Sequence, residues 1–538
     1  MKKLFLLLAA CNWLFAAASF AQAPAIQWQN TIGGSNGDGL LSIRQTAEGG
    51  YILGGYSNSN ISGDKTENCI GLSDYWIVKI DVSGNIQWQN TIGGSGQEEL
   101  YSISQTSDGG YICGGWSDSN ISGDKTENSV GFFDYWIVKT DAAGNIQWQN
   151  TIGGSSNDYL QSVQQTSDGG YILGGWSNSN ISGDKTENSA GFFDYWIVKL
   201  DSIGSIQWQN TVGGSNLDYL FSVSTTADSG YICGGTSYSD ISADKTENSN
   251  GGEDYWVIKL DYLGNIEWQN TIGGSDDDEL YSIVQTADKG FICGGFSYSN
   301  ISGDKTENSQ GDSDYWIIKL DSTGSIQWQN TLGGISSDNL FFILQANDGG
   351  YFCAGTSESN ISGDKTEICQ GWEDYWVIKL DTSGNMEWQN TIGGNSLDHL
   401  ASASACFDGG YICGGFSFSN ISGDKTENNW DPTLNSADYW LIKLFPDTIT
   451  GINNLQPLTP NFKLFPNPAQ EEFTVSGLQF PVQKIEILNL LGETVLTHQS
   501  EIRNSKSEIN TSSLSPGIYI IKVYADEGVF QQKLVINH

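Results

Sequence analysis

A unit of sixty residues recurs in strict register from Ile26 to Leu444, and this periodicity constrains the fold more than any other feature of the chain. Its Trp-Gln-Asn marker begins at Trp28, Trp88, Trp148, Trp208, Trp268, Trp328 and Trp388. A second marker, Asp-Tyr-Trp, starts at Asp74, Asp134, Asp194, Asp254, Asp314, Asp374 and, after a four-residue insertion, Asp438. In the first unit, residues 40–45, 51–57, 75–80 and 85–91 are short runs rich in β-branched and aromatic side chains, bounded by Gly, Asp and Asn turns. Such runs read as strands. The repetition also weighs against an ordinary active site, which needs different residue types converging once.

The array begins with an unpaired fourth strand at residues 26–31 and stops after a third strand at residues 439–444. If the first fragment completes the last unit, closure hides the sheet edges that an open solenoid, the alternative, leaves exposed. The expected fold is all-β: a seven-bladed β-propeller over residues 26–444, with four antiparallel strands per blade and the last blade closed by the N-terminal strand. Asp81-x-x-Gly84-x-x-x-Trp88 recurs in each complete turn between third and fourth strands. It resembles, one residue shorter, the tryptophan-docking motif of quinoprotein propellers. That resemblance implies tryptophans packed between blades. It is a weak sign of quinone cofactor binding, since those enzymes usually have eight blades and a single polar funnel with catalytic Asp and metal ligands.

Residues 1–21 carry Lys2 and Lys3, an apolar run from Leu4 through Phe15 and small residues up to Ala21, the pattern of a secretory signal cleaved after Ala21. Leu8-Ala9-Ala10-Cys11 looks like a lipoprotein box, but the apolar run before it is very short and continues past Cys11. No later stretch approaches the ~20 apolar residues of a membrane-spanning helix. Residues 22–460 hold 16 basic against 55 acidic side chains. A field of that sign repels nucleic acid and anionic headgroups and favours cations. Cys113, Cys233, Cys293, Cys353 and Cys413 share one repeat position with Leu53 and Leu173, so Cys there stands in for a small buried hydrophobe. Cys406 and Cys413 flank one tight turn and are the candidates for a local disulfide.

Strand alternation puts the loops between second and third strands and between fourth and first strands on one face, with uniform tight turns on the other. The seven copies differ most just before Asp-Tyr-Trp and just after Ile-Gly-Gly-Ser, both on the loop face, where a binding surface is expected. Phe132, Phe133, Phe192, Phe193, Trp372 and Trp430 stand in those variable stretches, suited to stacking on a sugar. The repeated Gly-Asp-Lys-Thr-Glu-Asn element offers hard oxygen ligands at Asp64, Glu67, Asn68 and their equivalents, making calcium the candidate ion. The bland alternative is turn capping. His399, His498 and His538 are the only histidines, so no histidine cluster forms a metal site or catalytic triad.

The repeat stops at Phe445, residues 445–460 read as a linker, and residues 461–538 are nearly charge-balanced, with 6 basic and 8 acidic side chains. Short alternating strands at residues 473–475, 484–488, 494–496, 518–524 and 530–536 suggest a small Ig-like antiparallel sandwich. Phe462-Lys-Leu-Phe-Pro-Asn-Pro468, Ile485-Glu-Ile-Leu-Asn-Leu-Leu-Gly-Glu493, Leu514-Ser-Pro-Gly-Ile-Tyr-Ile-Ile-Lys522 and Lys533-Leu-Val-Ile536 resemble the type A C-terminal sorting domain of the type IX secretion system. By position, Leu514, Pro516, Gly517, Tyr519 and Lys522 match the sorting motif, with Ser515 departing from its more frequent Leu-Pro-x-Gly order. The resemblance implies export through the periplasm and outer membrane, with the type IX machinery as partner and a secreted or surface-attached product. The expected function is an adhesion or binding protein for an extracellular glycan or protein. A polysaccharide-acting or quinoprotein-like enzyme and a passive spacer are the alternatives.

Overall fold

The computed structural model describes residues 22–431, 433 and 436–447 and, further on, residues 463–465, 469, 472–476, 482–488, 494–498, 506–512, 514–515, 517–525 and 528–537. The expected signal peptide and nearly all of the expected linker lie outside the described residues. The chain divides into two compact units between Thr448 and Ile449.

In the first unit the repeat supplies strands Asp38–Gln45, Tyr51–Ser57, Asp74–Ile80 and Ile86–Ile92, hydrogen-bonded in that order as one antiparallel sheet, and the later copies follow suit. The described residues form seven such sheets. The N-terminal strand Ile26–Ile32 pairs with Asp438–Leu444, Thr31 opposite Trp440, and thereby completes the last sheet. First strands of successive sheets touch one another all the way round, the last against the first. These repeated sheets fit a propeller.

The core lies between sheets, which explains why the third strand reads as an unbroken apolar run. All of its residues are buried. Alternation sends Tyr75 and Ile77 into the core shared with the second sheet, and Trp76, Val78 and Ile80 into the core shared with the last. The Tyr75 hydroxyl donates to the Trp136 carbonyl at 2.9 Å, and the Tyr439 hydroxyl to the Trp76 carbonyl at 3.1 Å, so the same staple crosses the junction that closes the array. Gly54 permits this approach: a Cβ there would lie 2.6 Å from Leu100 Cδ2 of the next sheet. Trp88 packs between sheets, its ring 5.7 Å from Tyr111 and against Gly144, whose φ of +84° suits glycine.

Each junction also buries charge. Lys125 Nζ donates to Thr151 Oγ1 at 2.6 Å and sits 5.6 Å from the Trp136 ring, a cation–π contact repeated in every unit. Two carboxyls approach across each junction, as at Asp254 and Asp278, where Asp254 Oδ2 accepts from the Asn250 N–H at 2.5 Å and Asp278 Oδ2 from the Gly274 N–H at 2.6 Å. The cysteines behave as small hydrophobes: Cys113, Cys233, Cys293, Cys353 and Cys413 are buried and free. Cys406 is free as well, its sulfur 3.6 Å from the Tyr51 hydroxyl, so the local disulfide with Cys413 is not formed.

The second unit has an antiparallel three-stranded sheet of Lys463–Phe465, Glu472–Ser476 and Lys506–Asn510, and an antiparallel four-stranded sheet in the order Thr494–His498, Val482–Leu488, Gly517–Ala525, Gly528–Ile536. Phe473, Val475, Ile485, Ile487, Ile521 and Leu534 form its core. Two of these strands escape the sequence reading. Lys-Ser-Glu-Ile-Asn holds one apolar side chain, Ile509, too little for an alternation signal.

Candidate functional site

The repeat is broken most systematically where its first strands converge. Each first strand contributes the residue at the repeat position that runs from Leu41 through Tyr101 to Ala401 to a single cavity of about 610 Å³. Because all seven copies reach it, the cavity is central to the array. Trp116, Tyr159, Trp176 and His399 complete its wall. Volume and lining suit a ligand pocket of mainly aromatic character with a few polar groups.

Its aromatic side chains touch in an unbroken arc. Trp176 lies 5.2 Å from Phe221, Phe221 stacks on Tyr281 at 4.5 Å and 21°, Tyr281 meets Phe341 edge-on at 5.1 Å, and Phe341 lies 4.9 Å from His399. Below Leu41 on its own strand, the guanidinium of Arg44 donates to the carbonyls of Ile43 and Ala403 and lies 5.4 Å from the Phe342 ring. Burial pulls its pKa down to about 10, still charged at neutral pH.

Around this arc, at five of the seven junctions, the residue just before Asp-Tyr-Trp meets the residue just after the buried carboxyl of the next unit, and these five pairs differ in kind but match in chemistry. Phe133 stacks on Tyr159 at 5.3 Å, and Phe193 lies 5.8 Å from Tyr219. Glu253 and Glu279 share a hydrogen bond between carboxyls. The Ser313 hydroxyl donates to Asn339 at 2.7 Å, and His399 Nδ1 lies 2.7 Å from Glu373 Oε1. Identical copies would repeat one pair; this ring is built unequal.

The acids in the ring are one hydrogen bond away from the wall. Tyr281 donates to Glu279 at 3.1 Å and Tyr101 to Glu99 at 3.0 Å. Burial, reinforced by the Glu279 carboxylate beside it, pushes Glu253 up to about 8, against the Tyr238 hydrogen bond that opposes the shift. Burial raises Glu279 and Glu99 as well. One proton shared by two close carboxyls is the expected outcome.

The loop residues singled out in the sequence divide. Phe133 and Phe193 belong to the aromatic ring just described. Phe132, Phe192 and Trp372 stand at the rim, 70%, 68% and 81% exposed. Trp430 folds back: its Nε1 donates to Asp64 Oδ2 at 2.8 Å, latching the last unit to the first. Asp64, Glu67 and Asn68 do not converge. Glu67 Oε2 accepts from the Thr91 N–H at 2.6 Å, Asn68 Oδ1 from the Ile61 N–H at 3.1 Å, and Asp64 Oδ2 from the Gly33 N–H at 3.3 Å. Among the described residues no three His, Cys, Asp or Glu side chains gather as metal ligands.

In the second unit Leu514 is buried in the core, Gly517 opens a strand opposite Ile536, the Tyr519 hydroxyl donates to the Ser515 carbonyl at 2.8 Å, and Lys522 pairs with Gln531. Pro516 lies outside the described residues.

Residues 463–537 match the secretion system C-terminal sorting domain family. Ulvan lyase NLR42 of Nonlabens ulvanivorans is 37% identical over 76 residues, which is 14% of this chain and 14% of that protein. Among solved structures, puromycin hydrolase aligns at 9% identity and a TM-score of 0.45, over 85% of this chain and 62% of that one. A variant of Synechocystis apocarotenoid oxygenase aligns at 9% identity and a TM-score of 0.36, over 91% and 98%. Likenesses this distant carry no argument about activity. Among the described residues no helix is long and apolar enough to cross a membrane. The tail is a type IX sorting domain, so the type IX machinery is the protein's partner in export across the outer membrane to a secreted or surface-attached state.

Proposed function

We propose that this is an exported seven-bladed β-propeller, followed by an Ig-like sorting domain, whose central pocket binds an extracellular glycan. The observation that carries the reading is the unequal ring of matched pairs around an aromatic cavity of about 610 Å³. Scaffold positions keep one residue or a close substitute in most copies, whereas this ring changes between aromatic, acidic and amide pairs at one place. Stacked rings with polar partners close by suit the apolar faces and hydroxyl edges of sugars. Trp88 and its equivalents, packed between sheets, support a quinoprotein-like manner of blade docking as architecture alone.

Catalysis on a polysaccharide is the second reading, drawn from the Glu253 and Glu279 carboxyls and from the name of the lyase with the 76-residue match. Binding is preferred because the two carboxyls touch. Two-carboxylate glycoside hydrolysis spaces them about 5–5.5 Å apart when retaining and 6.5–9.5 Å apart when inverting.

The test is a glycan array with the purified chain from residue 22 onward, followed by calorimetric titration of the best hit. Trp176→Ala removes a wall of the cavity and is expected to weaken binding by roughly 2 kcal/mol, about 30-fold. Unchanged affinity would remove the pocket from the account.

A further inference from the structure

We infer that the ligand of the central pocket is cationic, an amino-sugar chain whose ammonium groups meet the ring carboxylates. This rests on the glycan reading above and specifies its chemistry. Three wall residues, Tyr101, Tyr281 and His399, are each bonded to a carboxyl, Glu99 at 3.0 Å, Glu279 at 3.1 Å and Glu373 at 2.7 Å. Glu253 adds a fourth carboxyl beside Glu279. Among the described residues no Lys or Arg lines the cavity. Within the first strands, Arg44 is the one Lys or Arg, and its guanidinium is already held by two carbonyls, the Ser402 hydroxyl and the Phe342 ring.

An aromatic wall backed by carboxyls attracts an ammonium group twice, through the negative ring faces and through the charge held one hydrogen bond behind them. Anionic sugars are disfavoured for the same reason, and the 55 acidic side chains of residues 22–460, against 16 basic, extend that preference to the approach path. A sugar suits the wall better than a lysine-rich peptide. Trp116, Tyr159, Trp176, Phe221, Tyr281 and Phe341 all line the one cavity, so a chain of sugar rings finds several aromatic surfaces for its apolar faces, beyond what an extended lysine side chain needs.

Glucosamine oligomers, N-acetylglucosamine oligomers and neutral glucose oligomers of equal length, with a lysine-rich peptide as a fourth probe, are titrated against the mature chain. The glucosamine oligomer is expected to bind at least tenfold more tightly than its acetylated and neutral counterparts, and the double variant Glu253→Gln/Glu279→Gln, which keeps the shape and the tyrosine hydrogen bond and leaves neither carboxyl to ionise in the other's place, should abolish that margin while leaving the melting temperature near wild type. Glu99→Gln, at a different wall tyrosine, repeats the measurement should the first variant prove unstable. Equal binding of all three oligomers would overturn the inference and leave the glycan reading standing. Binding of the peptide alone, or of no probe, would overturn both.

Discussion

Trp76→Ala is expected to cost about 3–5 kcal/mol of stability, the range for removing a fully buried large aromatic side chain. The indole is 0% exposed, lies 4.8 Å from Tyr439 across the closing junction, donates to Gln89 Oε1 at 3.1 Å and supports Lys65 Nζ 5.1 Å from its ring. Its loss opens a cavity and strips a buried ammonium of its aromatic face. Folded domains are held by only ~5–15 kcal/mol, so this is a large fraction of the total. Trp372→Ala is the control: the side chain is 81% exposed, and the change should stay within ~0.5 kcal/mol. Urea midpoints measure both. A Trp76→Ala variant as stable as the control would show that packing between sheets does not hold the array together.

Acidification from pH 8 to pH 5 is expected to raise the melting temperature. Burial, aided by the facing carboxylate, pushes Asp254, Asp314 and Asp438 up to about 7, and Asp134, Asp194 and Asp374 up to about 6. A carboxyl whose pKa is raised by folding binds more protons in the native state than in the unfolded one. Its contribution is full below the unfolded value near 4 and is lost as pH rises through 6 and 7. Every tenfold gain in proton affinity is worth about 1.4 kcal/mol, so over the junctions together the effect reaches several kcal/mol. The buried lysines act elsewhere: Lys125, Lys185, Lys245, Lys305 and Lys425 are pulled down to about 8 by burial, so their effect falls between pH 8 and 10.5 and has the opposite sign. Below pH 4 the trend reverses, because Asp108, Asp168, Asp228 and Asp288, ion-paired with lysines, are held down at about 2. A melting temperature that is flat or rises from pH 5 to pH 8 would contradict the buried-pair account.

Most of the first unit was legible because sixty-residue periodicity turns a local pattern into seven independent copies of it. Strand bounds came within about two residues, and the partnership of Ile26–Ile32 with the last third strand followed from the missing fourth strand. The pocket was half legible. Variation before Asp-Tyr-Trp pointed to Phe133 and Phe193, but the wall at Leu41 through Ala401 lies inside strands, where alternation says only that one face differs from the other. That this face meets six others depends on closure. A stronger signal was present: in five of the seven copies the residues at the Glu253 and Glu279 positions change together, aromatic with aromatic, acid with acid, acid with histidine, Ser73 with Glu99 and Ala437 with Gly39 being the exceptions. The acid-amide loops could not be assigned from spacing. Asp64, Glu67 and Asn68 carry the chemistry of cation ligands and equally that of turn caps, and in the structure each accepts a backbone N–H, from Gly33, Thr91 and Ile61, partners that spacing cannot reveal.

The central claim is that the pocket, and not the rim of loops, is where this protein meets its ligand. It is tested most directly by titrating the best glycan against two variants, one with Trp116 and Trp176 replaced by alanine in the cavity wall and one with Phe132, Phe192 and Trp372 replaced at the exposed rim. The account predicts binding lost in the first and retained within a factor of about two in the second. Binding lost at the rim and kept in the pocket would contradict it.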